Sequence, residues 1–166
     1  IMKNYINWLN GKGDDKPILS HTALKEKVFP SISEKQPVFL FVIDNLRYDQ
    51  WKSIQPFIHN YFYVENEDIH YSILPTATHY ARNALFSGLL PSEIEKKYPG
   101  LWLNENDEGG KNQHEQELLA EYLKRHGKNV KFSFYKILNL EFGKKVFDAF
   151  HQLLNNPFNV IIFNFV

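Results

Sequence analysis

The chain has 166 residues, 43% of them hydrophobic and 16% aromatic, a composition typical of a globular domain with a hydrophobic core and unlike that of a disordered chain. Its 19 basic residues balance 19 acidic ones, so no broad electrostatic attraction to nucleic acid or anionic membranes is expected. The absence of cysteine excludes disulfides, thiolate zinc sites and a cysteine nucleophile.

The first third of the chain predicts a lead-in followed by the start of a folded core. Residues 1–9 and 20–28 predict short helices, and a turn-rich linker joins them. We therefore assign residues 1–34 to a helical lead-in and linker, and residues 35–166 to the main domain. Six consecutive apolar residues, Val38–Ile43, predict a strand that is buried on both faces of a parallel sheet.

The rest of the chain alternates between predicted helices and strands. Helices are predicted at 46–57, 79–90, 115–126 and 140–154, and strands at 61–64, 69–74, 129–137 and 160–166. This alternation predicts an α/β fold, a doubly wound and mostly parallel sheet with helices on both faces. The last predicted strand, VIIFNFV, stops where ligands of such sheets bind, so we expect the full protein to continue beyond it.

The first candidate site residue is Asp44, which ends the first predicted strand in FLFVIDNLRYDQW. Inside a sheet an ionised carboxylate would be costly, whereas at the strand tip it can face a crevice and bind a metal ion. Asp44 could instead cap the following helix. The spacing alone favours neither interpretation.

The second candidate lies in ILPTATHYARNALFSGLLP, residues 73–91. A hydroxyl at the start of a helix, from Thr76 or Thr78, lies among bare N–H groups in a positive field, which suits a phosphoryl group. Threonine is also a common N-cap, and from this stretch alone capping is the more frequent role. About one βαβ unit separates Asp44 from Thr78. If their strands are neighbours, the two residues meet at one sheet edge, where metal-assisted phosphoryl transfer needs them.

Other polar residues give weaker signals. His79 adjoins Thr78 and could contact substrate, although an exposed histidine in the first turn of a helix is the more ordinary interpretation. The loop NENDEGGKN at 104–112 could cover an active site or simply join two elements. A solvated helix face is predicted from Glu115, Glu117, Glu121 and Lys124.

Three stretches together resemble a known family. VFLFVIDNLRYDQW, SILPTATHYARNALFSGLLPSEI and DEGGKNQHEQELL are similar to the PglZ domain of the alkaline phosphatase superfamily. They more closely resemble the effector domain of PorX-like two-component response regulators of Bacteroidetes, from about residue 8 onward. The resemblance implies a doubly wound core, two divalent metal ions, usually zinc, and a Ser or Thr nucleophile that forms a covalent phospho-enzyme.

The resemblance also implies roles for individual residues. Asp44 matches the metal ligand of the first strand, and Thr78 matches a nucleophile that is also a metal ligand, with Thr76 as the alternative. The candidates for holding substrate are Asn83, Arg82 and His79. Because the remaining ligands, an Asp and His residues, would follow residue 166, we expect the chain alone to bind metal weakly and to be inactive.

The implied function is a metal-dependent phosphodiesterase that serves as the output domain of a response regulator. Expected partners are a phosphoester substrate, with a nucleotide as one candidate, and a histidine kinase acting through a receiver domain before residue 1; a homodimer is a candidate assembly. No apolar run approaches the roughly 20 residues of a membrane span, and a cytoplasmic location is expected. The alternative is a non-catalytic module of the same fold that regulates a partner in signalling or secretion.

Overall fold

The computed structural model describes residues 4–13 and 15–164. Its helices, in chain order, are α1 (Tyr5–Leu9), α2 (Ser20–Lys27), α3 (Tyr48–Ile58), α4 (Thr78–Ser87), α5 (Pro91–Lys97), α6 (Glu115–Arg125), α7 (Leu140–Asp148) and α8 (Phe150–Leu153). Short 3₁₀ helices span Phe29–Ser31 and Pro99–Leu101. The strands are β1 (Val38–Ile43), β2 (Phe132–Ile137) and β3 (Phe158–Phe163). None of the helices in the described ranges has the length and apolar character needed to cross a membrane.

The described residues fall into two compact units. The first unit takes its residues from 1–31 and 69–129, and the second from 32–68 and 130–166. Each unit is therefore assembled from two separate stretches of sequence. The division predicted from the sequence, a lead-in of residues 1–34 before a domain of residues 35–166, stays a prediction.

The first unit is helical, with α2 and α6 packed against α4. In α6 the apolar residues recur at helical spacing and are buried, Leu118, Leu119, Tyr122 and Leu123 among them. The Tyr122 ring lies 4.8 Å from that of Phe29, and its hydroxyl donates to the His21 carbonyl oxygen at 3.0 Å. Gly88 ends α4 in the left-handed conformation, with φ 65°, as glycine C-caps commonly do.

The second unit contains a parallel sheet in the order β1-β3-β2. The middle strand, β3, is buried on both faces, which explains why its residues are apolar except for Asn159, whose side chain is hydrogen-bonded. On one face α7 and α8 cover the sheet through a cluster formed by Ile137, Val146, Leu153 and Ile161. The predicted α/β class and parallel sheet are thus confirmed. β1 differs from the prediction because it is an edge strand of the described sheet, with Phe41 50% and Ile43 43% exposed.

Two predicted strands, 61–64 and 69–74, are wrong. The first segment is irregular, and its Tyr61 and Tyr63 side chains are 84% and 89% exposed. In the second, Tyr71 forms only an isolated bridge with Leu19. Aromatic and β-branched residues favour strands only where a neighbouring strand completes the ladder, and these segments have none among the described residues.

The helix predictions are closer to the structure, with two differences. The helix predicted at 140–154 is divided into α7 and α8 at Ala149. The helix α5 was not predicted, although its start follows known rules. Pro91 occupies the first helical position, and Glu93 Oε2 accepts a hydrogen bond of 2.7 Å from the Leu90 N–H.

Candidate functional site

Asp44 lies immediately after β1, in the second unit. Its backbone N–H donates to the Phe163 carbonyl oxygen at 3.0 Å, which extends the β1–β3 ladder by one bond. The Asp44 Oδ1 atom accepts from the Asn45 N–H at 3.1 Å. Asn45 is left-handed, with φ 61°, a conformation that asparagine tolerates better than most residues. The carboxylate is therefore held, partly exposed, at the carboxyl end of a parallel strand, as the sequence predicts.

Asp44 does not cap α3. The N-cap residue of α3 is Arg47, and its N–H donates at 3.0 Å to Gln50 Oε1, a side chain of the first helical turn. The Arg47 guanidinium also pairs with Asp49, with Nη2 and Oδ2 2.8 Å apart. The capping interpretation of Asp44 is thus wrong, whereas a role as metal ligand stays a prediction.

Thr78 is the first residue of α4, in the first unit. The N-cap residue is Ala77, which has no side chain able to cap. Thr76 is exposed and Thr78 is partly exposed. Among the residues that the structure describes, neither threonine hydroxyl has a hydrogen-bond partner. Neither threonine therefore caps α4, and both hydroxyls are available for another role.

His79 follows Thr78 and packs against an aromatic side chain. Its ring stacks on that of Trp102, with centroids 4.6 Å apart and planes 20° apart. Burial lowers the pKa of His79 below its ordinary value, and its Nε2 atom is buried without a hydrogen-bond partner in the described ranges. His79 is therefore a partly buried side chain packed on Trp102, and not the exposed first-turn histidine of the ordinary interpretation.

Arg82 is buried and paired with Glu115. The Arg82 Nε and Nη2 atoms donate to Glu115 Oε1 and Oε2 at 2.7 and 2.6 Å. The two side chains are only 7% and 1% exposed. The prediction that Glu115 lies on a solvated helix face is therefore wrong. A buried carboxylate needs a counter-charge, and Arg82 supplies it.

Asn83 is also buried and joins the same region of the loop before α6. Its Nδ2 atom donates to the Lys111 carbonyl oxygen at 3.0 Å, and its Oδ1 atom accepts from Asn112 at 3.2 Å. Substrate binding by Arg82 and Asn83 stays a prediction. In the structure their polar groups connect α4 to the segment that begins α6.

Asp44 and Thr78 were expected to meet at one sheet edge if the strands before them were neighbours, and this condition is not met. The strand that was to precede Thr78 is absent, and the strand next to β1 is β3. Asp44 belongs to the second unit and Thr78 to the first. Within the first unit, Thr78 shares the start of α4 with His79, Arg82 and Asn83.

A divalent metal ion requires more donors than these. Carboxylate and hydroxyl oxygens are ligands that such ions accept. No group of three or more His, Asp or Glu side chains in the described part of the chain could hold a metal. The donor chemistry fits, but the donor set is incomplete, so these residues do not constitute a metal centre by themselves.

Sequence reasoning missed Glu115 and Asn112 as parts of this region. Glu115 precedes Leu118 by three residues and Tyr122 by seven, a spacing that places all three on one side of α6. That spacing was the available signal for burial. Asn112 gave no comparable signal, because its partners lie about 30 residues earlier in the sequence.

Comparison with known proteins agrees with the sequence resemblance. The family model of the BREX system PglZ alkaline phosphatase-like domain matches residues 23–166. The matched range includes the site candidates Asp44, Thr76, Thr78, His79, Arg82 and Asn83. No curated protein matches the chain significantly.

Proposed function

The chain belongs to the PglZ family of alkaline phosphatase-like domains, and we propose that it contributes Asp44 and Thr78 to the site of a metal-dependent phosphoesterase. The proposed reaction is hydrolysis of a phosphodiester, with the Thr78 hydroxyl as the attacking group and Asp44 as a metal ligand. Thr76 is the alternative nucleophile. The observation that carries the proposal is that the Thr78 hydroxyl, at the start of α4 in a chain of this family, does not cap the helix.

The local structure supports this choice of nucleophile. A threonine hydroxyl is neutral near pH 7, and two divalent metal ions, zinc in our proposal, would lower its pKa and neutralise charge on the phosphoryl group. The chain's own part is to present the hydroxyl at the start of α4, in the positive field of the helix N-terminus. Asp44, fixed by the β1–β3 ladder, offers a carboxylate at a strand tip.

We propose that the biological context is a cytoplasmic two-component system, with this chain in the output part of a response regulator. The motifs similar to PorX-like effectors support this proposal. A receiver domain would receive the phosphoryl group from a histidine kinase. Phosphorylating the full-length protein and measuring its hydrolytic rate would test it, since an output domain should change its rate on phosphorylation.

Substitution of the two threonines gives the sharpest test of the enzyme proposal. The full-length protein and its Thr78→Ala, Thr76→Ala and Asp44→Asn variants would be assayed with bis-p-nitrophenyl phosphate. We expect Thr78→Ala to lower kcat by about a thousandfold or more, Asp44→Asn to weaken metal binding and activity together, and Thr76→Ala to have little effect. A Thr78→Ala variant that folds and keeps its full rate would refute Thr78 as the nucleophile.

A second candidate function is a non-catalytic interaction module. A groove of about 350 Å³ in the second unit favours it. The groove is lined mainly by apolar side chains of β1, β2, α7, α8 and β3, and one of them, Phe147, is 77% exposed. Exposed apolar patches commonly mark contact surfaces. Full biological output from the doubly substituted Asp44→Asn, Thr78→Ala protein would support this function over catalysis.

A further inference from the structure

The loop before α6 contacts the residue that we propose as the nucleophile. The Asn112 Nδ2 atom donates to the Thr78 carbonyl oxygen at 3.2 Å and to Asn83 Oδ1 at 3.2 Å. A side-chain amide has two N–H donors on one nitrogen, so a single planar group reaches both acceptors. One acceptor is the main chain of the first helical residue, and the other is a side chain one turn further along α4.

The contact is reciprocal. Asn83 donates from α4 to the Lys111 carbonyl oxygen, beside Asn112 in the loop. Each element thus holds the other through a side-chain amide and a main-chain carbonyl. Because the two contacts lie next to each other, a shift of the loop would disturb both at once.

The buried Arg82–Glu115 ion pair fixes the same two segments at a second point. Arg82 precedes Asn83 directly, and Glu115 lies three residues beyond Asn112. In α4, residues 78 and 82 are four positions apart and therefore lie on the same side of the helix. The ion pair holds α4 and the start of α6 together, and the Asn112 amide additionally binds the first residue of α4.

We infer that Asn112 is a positioning residue that fixes the first turn of α4 and with it the direction of the Thr78 hydroxyl. The hydroxyl and the carbonyl that Asn112 holds belong to the same residue, so restraining the carbonyl restricts the rotation of the Thr78 backbone. The effect of Asn112 on catalysis rests on the proposed function. Its effect on the order of the first turn of α4 does not depend on that function.

The side-chain amide is required by its chemistry. Both partners of the Asn112 Nδ2 atom are oxygen acceptors. An aspartate at this position keeps the shape but presents an acceptor to two acceptors, and an alanine removes the donor. The two substitutions therefore remove the same contact in different ways, which separates the effect of the donor from the effect of an added charge.

Hydrogen exchange on the whole chain tests the structural part without any enzyme assay. The variants are Asn112→Asp and Asn112→Ala, with Asn129→Asp and Asn129→Ala as matched controls at an exposed position of the same unit. We expect amides of residues 78–83 to exchange about three to ten times faster in the Asn112 variants, the ratio that loss of one or two neutral hydrogen bonds gives. The controls should exchange like the unsubstituted chain.

The pattern of exchange decides the outcome. A rise confined to the start of α4 and the 104–112 loop supports the inference. No rise, or an equal rise throughout the first unit, overturns it, since Asn112 would then have no local role or would act only on overall stability.

Kinetics of the full-length protein test the catalytic part. We expect Asn112→Ala to lower kcat about ten- to a hundredfold, as a misplaced reacting group does, with KM nearly unchanged. An unchanged kcat together with faster local exchange would overturn the catalytic part. If Thr78→Ala keeps full activity, Thr78 is not the nucleophile and the catalytic part of the inference is overturned with that assignment, whereas the exchange result still decides the structural role of Asn112.

Discussion

Arg82 and Glu115 form a buried ion pair that joins α4 to the first residue of α6, with Nη2 and Oε2 2.6 Å apart. Both charges are almost fully removed from water, so each depends on the other for compensation. The pair connects segments more than 30 residues apart and lies beside the contacts of Asn83 and Asn112. Loss of the ion pair should therefore lower the stability of the first unit and disturb the site residues at the start of α4.

Removing one member of this pair should destabilise the chain strongly. We expect Glu115→Ala to lower the free energy of unfolding by about 3–5 kcal/mol, because the buried Arg82 charge would lose its carboxylate counter-charge. The double substitution Arg82→Met, Glu115→Leu should recover most of this loss. Urea denaturation measures both, with Glu117→Ala, on a half-exposed side chain, as the control. If Glu115→Ala costs no more than Glu117→Ala, the pair does not stabilise the fold.

Two glycines in the same conformation should differ sharply in their tolerance of alanine. Gly88 and Gly127 have φ angles of +65° and +67°, so either substitution costs about 1 kcal/mol in backbone strain. A Cβ at Gly88 would also overlap the Tyr122 ring, whereas one at Gly127 meets nothing within 4 Å. Thermal unfolding should show a clearly larger loss for Gly88→Ala, and equal losses would contradict the packing of Tyr122.

The turn after Asp44 should tolerate glycine better than alanine. At Asn45 the left-handed backbone, φ 61°, costs an L-residue with a Cβ about 1–2 kcal/mol, and glycine avoids that cost. We expect Asn45→Ala to destabilise the second unit and Asn45→Gly to be nearly neutral. Chemical denaturation of both variants checks this. An Asn45→Gly variant as unstable as Asn45→Ala would show that the asparagine side chain, and not the backbone, matters.

Glu67 should make stability depend on pH in the acidic range. Hydrogen bonds from Lys52, Tyr48 and Trp51 lower the pKa of Glu67 from 4.5 to about 2. Because the folded pKa is the lower one, its stabilisation is fully present above pH 4.5 and is lost as the pH falls towards 2. Glu67→Gln should flatten the stability profile over that window.

The measurement for Glu67 is the unfolding midpoint from pH 2 to pH 6. Glu65→Gln is the matched control, since it removes one carboxylate from the same exposed segment. If the Glu67→Gln profile keeps the slope of the unsubstituted chain, the contacts with α3 do not hold the carboxylate in the folded state.

Zinc titration addresses the incomplete donor set. We expect calorimetry of this chain to show no tight two-site binding, because Asp44 and Thr78 supply too few ligands. Asp44→Asn serves as the comparison for any weak binding that appears. Tight binding of two zinc ions, abolished by Asp44→Asn, would mean that further donors within the chain complete the site.

The sequence predicted the sheet better than the connections around it. The apolar runs of β1 and β3 were identified within two residues of their starts, because consecutive apolar and β-branched residues leave a strong local pattern. The segment 61–74 has the same residue types but no strand beside it in the described structure, and local sequence cannot reveal a missing neighbour. The left-handed conformation of Asn45 likewise depends on the surrounding structure, which the local sequence does not show.

Candidate site residues were identified unevenly for a similar reason. Asp44 and Thr78 stand at the ends of regular elements, so their positions followed from the element boundaries. Charged residues such as Arg82 and Glu115 are mostly exposed in proteins, and their mutual contact explains their burial in this one. The role of Asn112 depends on atoms of α4 that no pattern in its own loop indicates.

The central place of β3 also bears on when the chain can fold during synthesis. β1 and β2 hydrogen-bond only to β3 in the described sheet, and β3 is translated after both. The ribosome must therefore have released the chain as far as β3 before any strand pair of the described sheet can form, when the helices of the first unit have already been synthesised. Until then Phe39, Phe41 and Ile43 of β1 remain without their hydrogen-bonding partner strand, so the nascent chain is prone to aggregate during this interval.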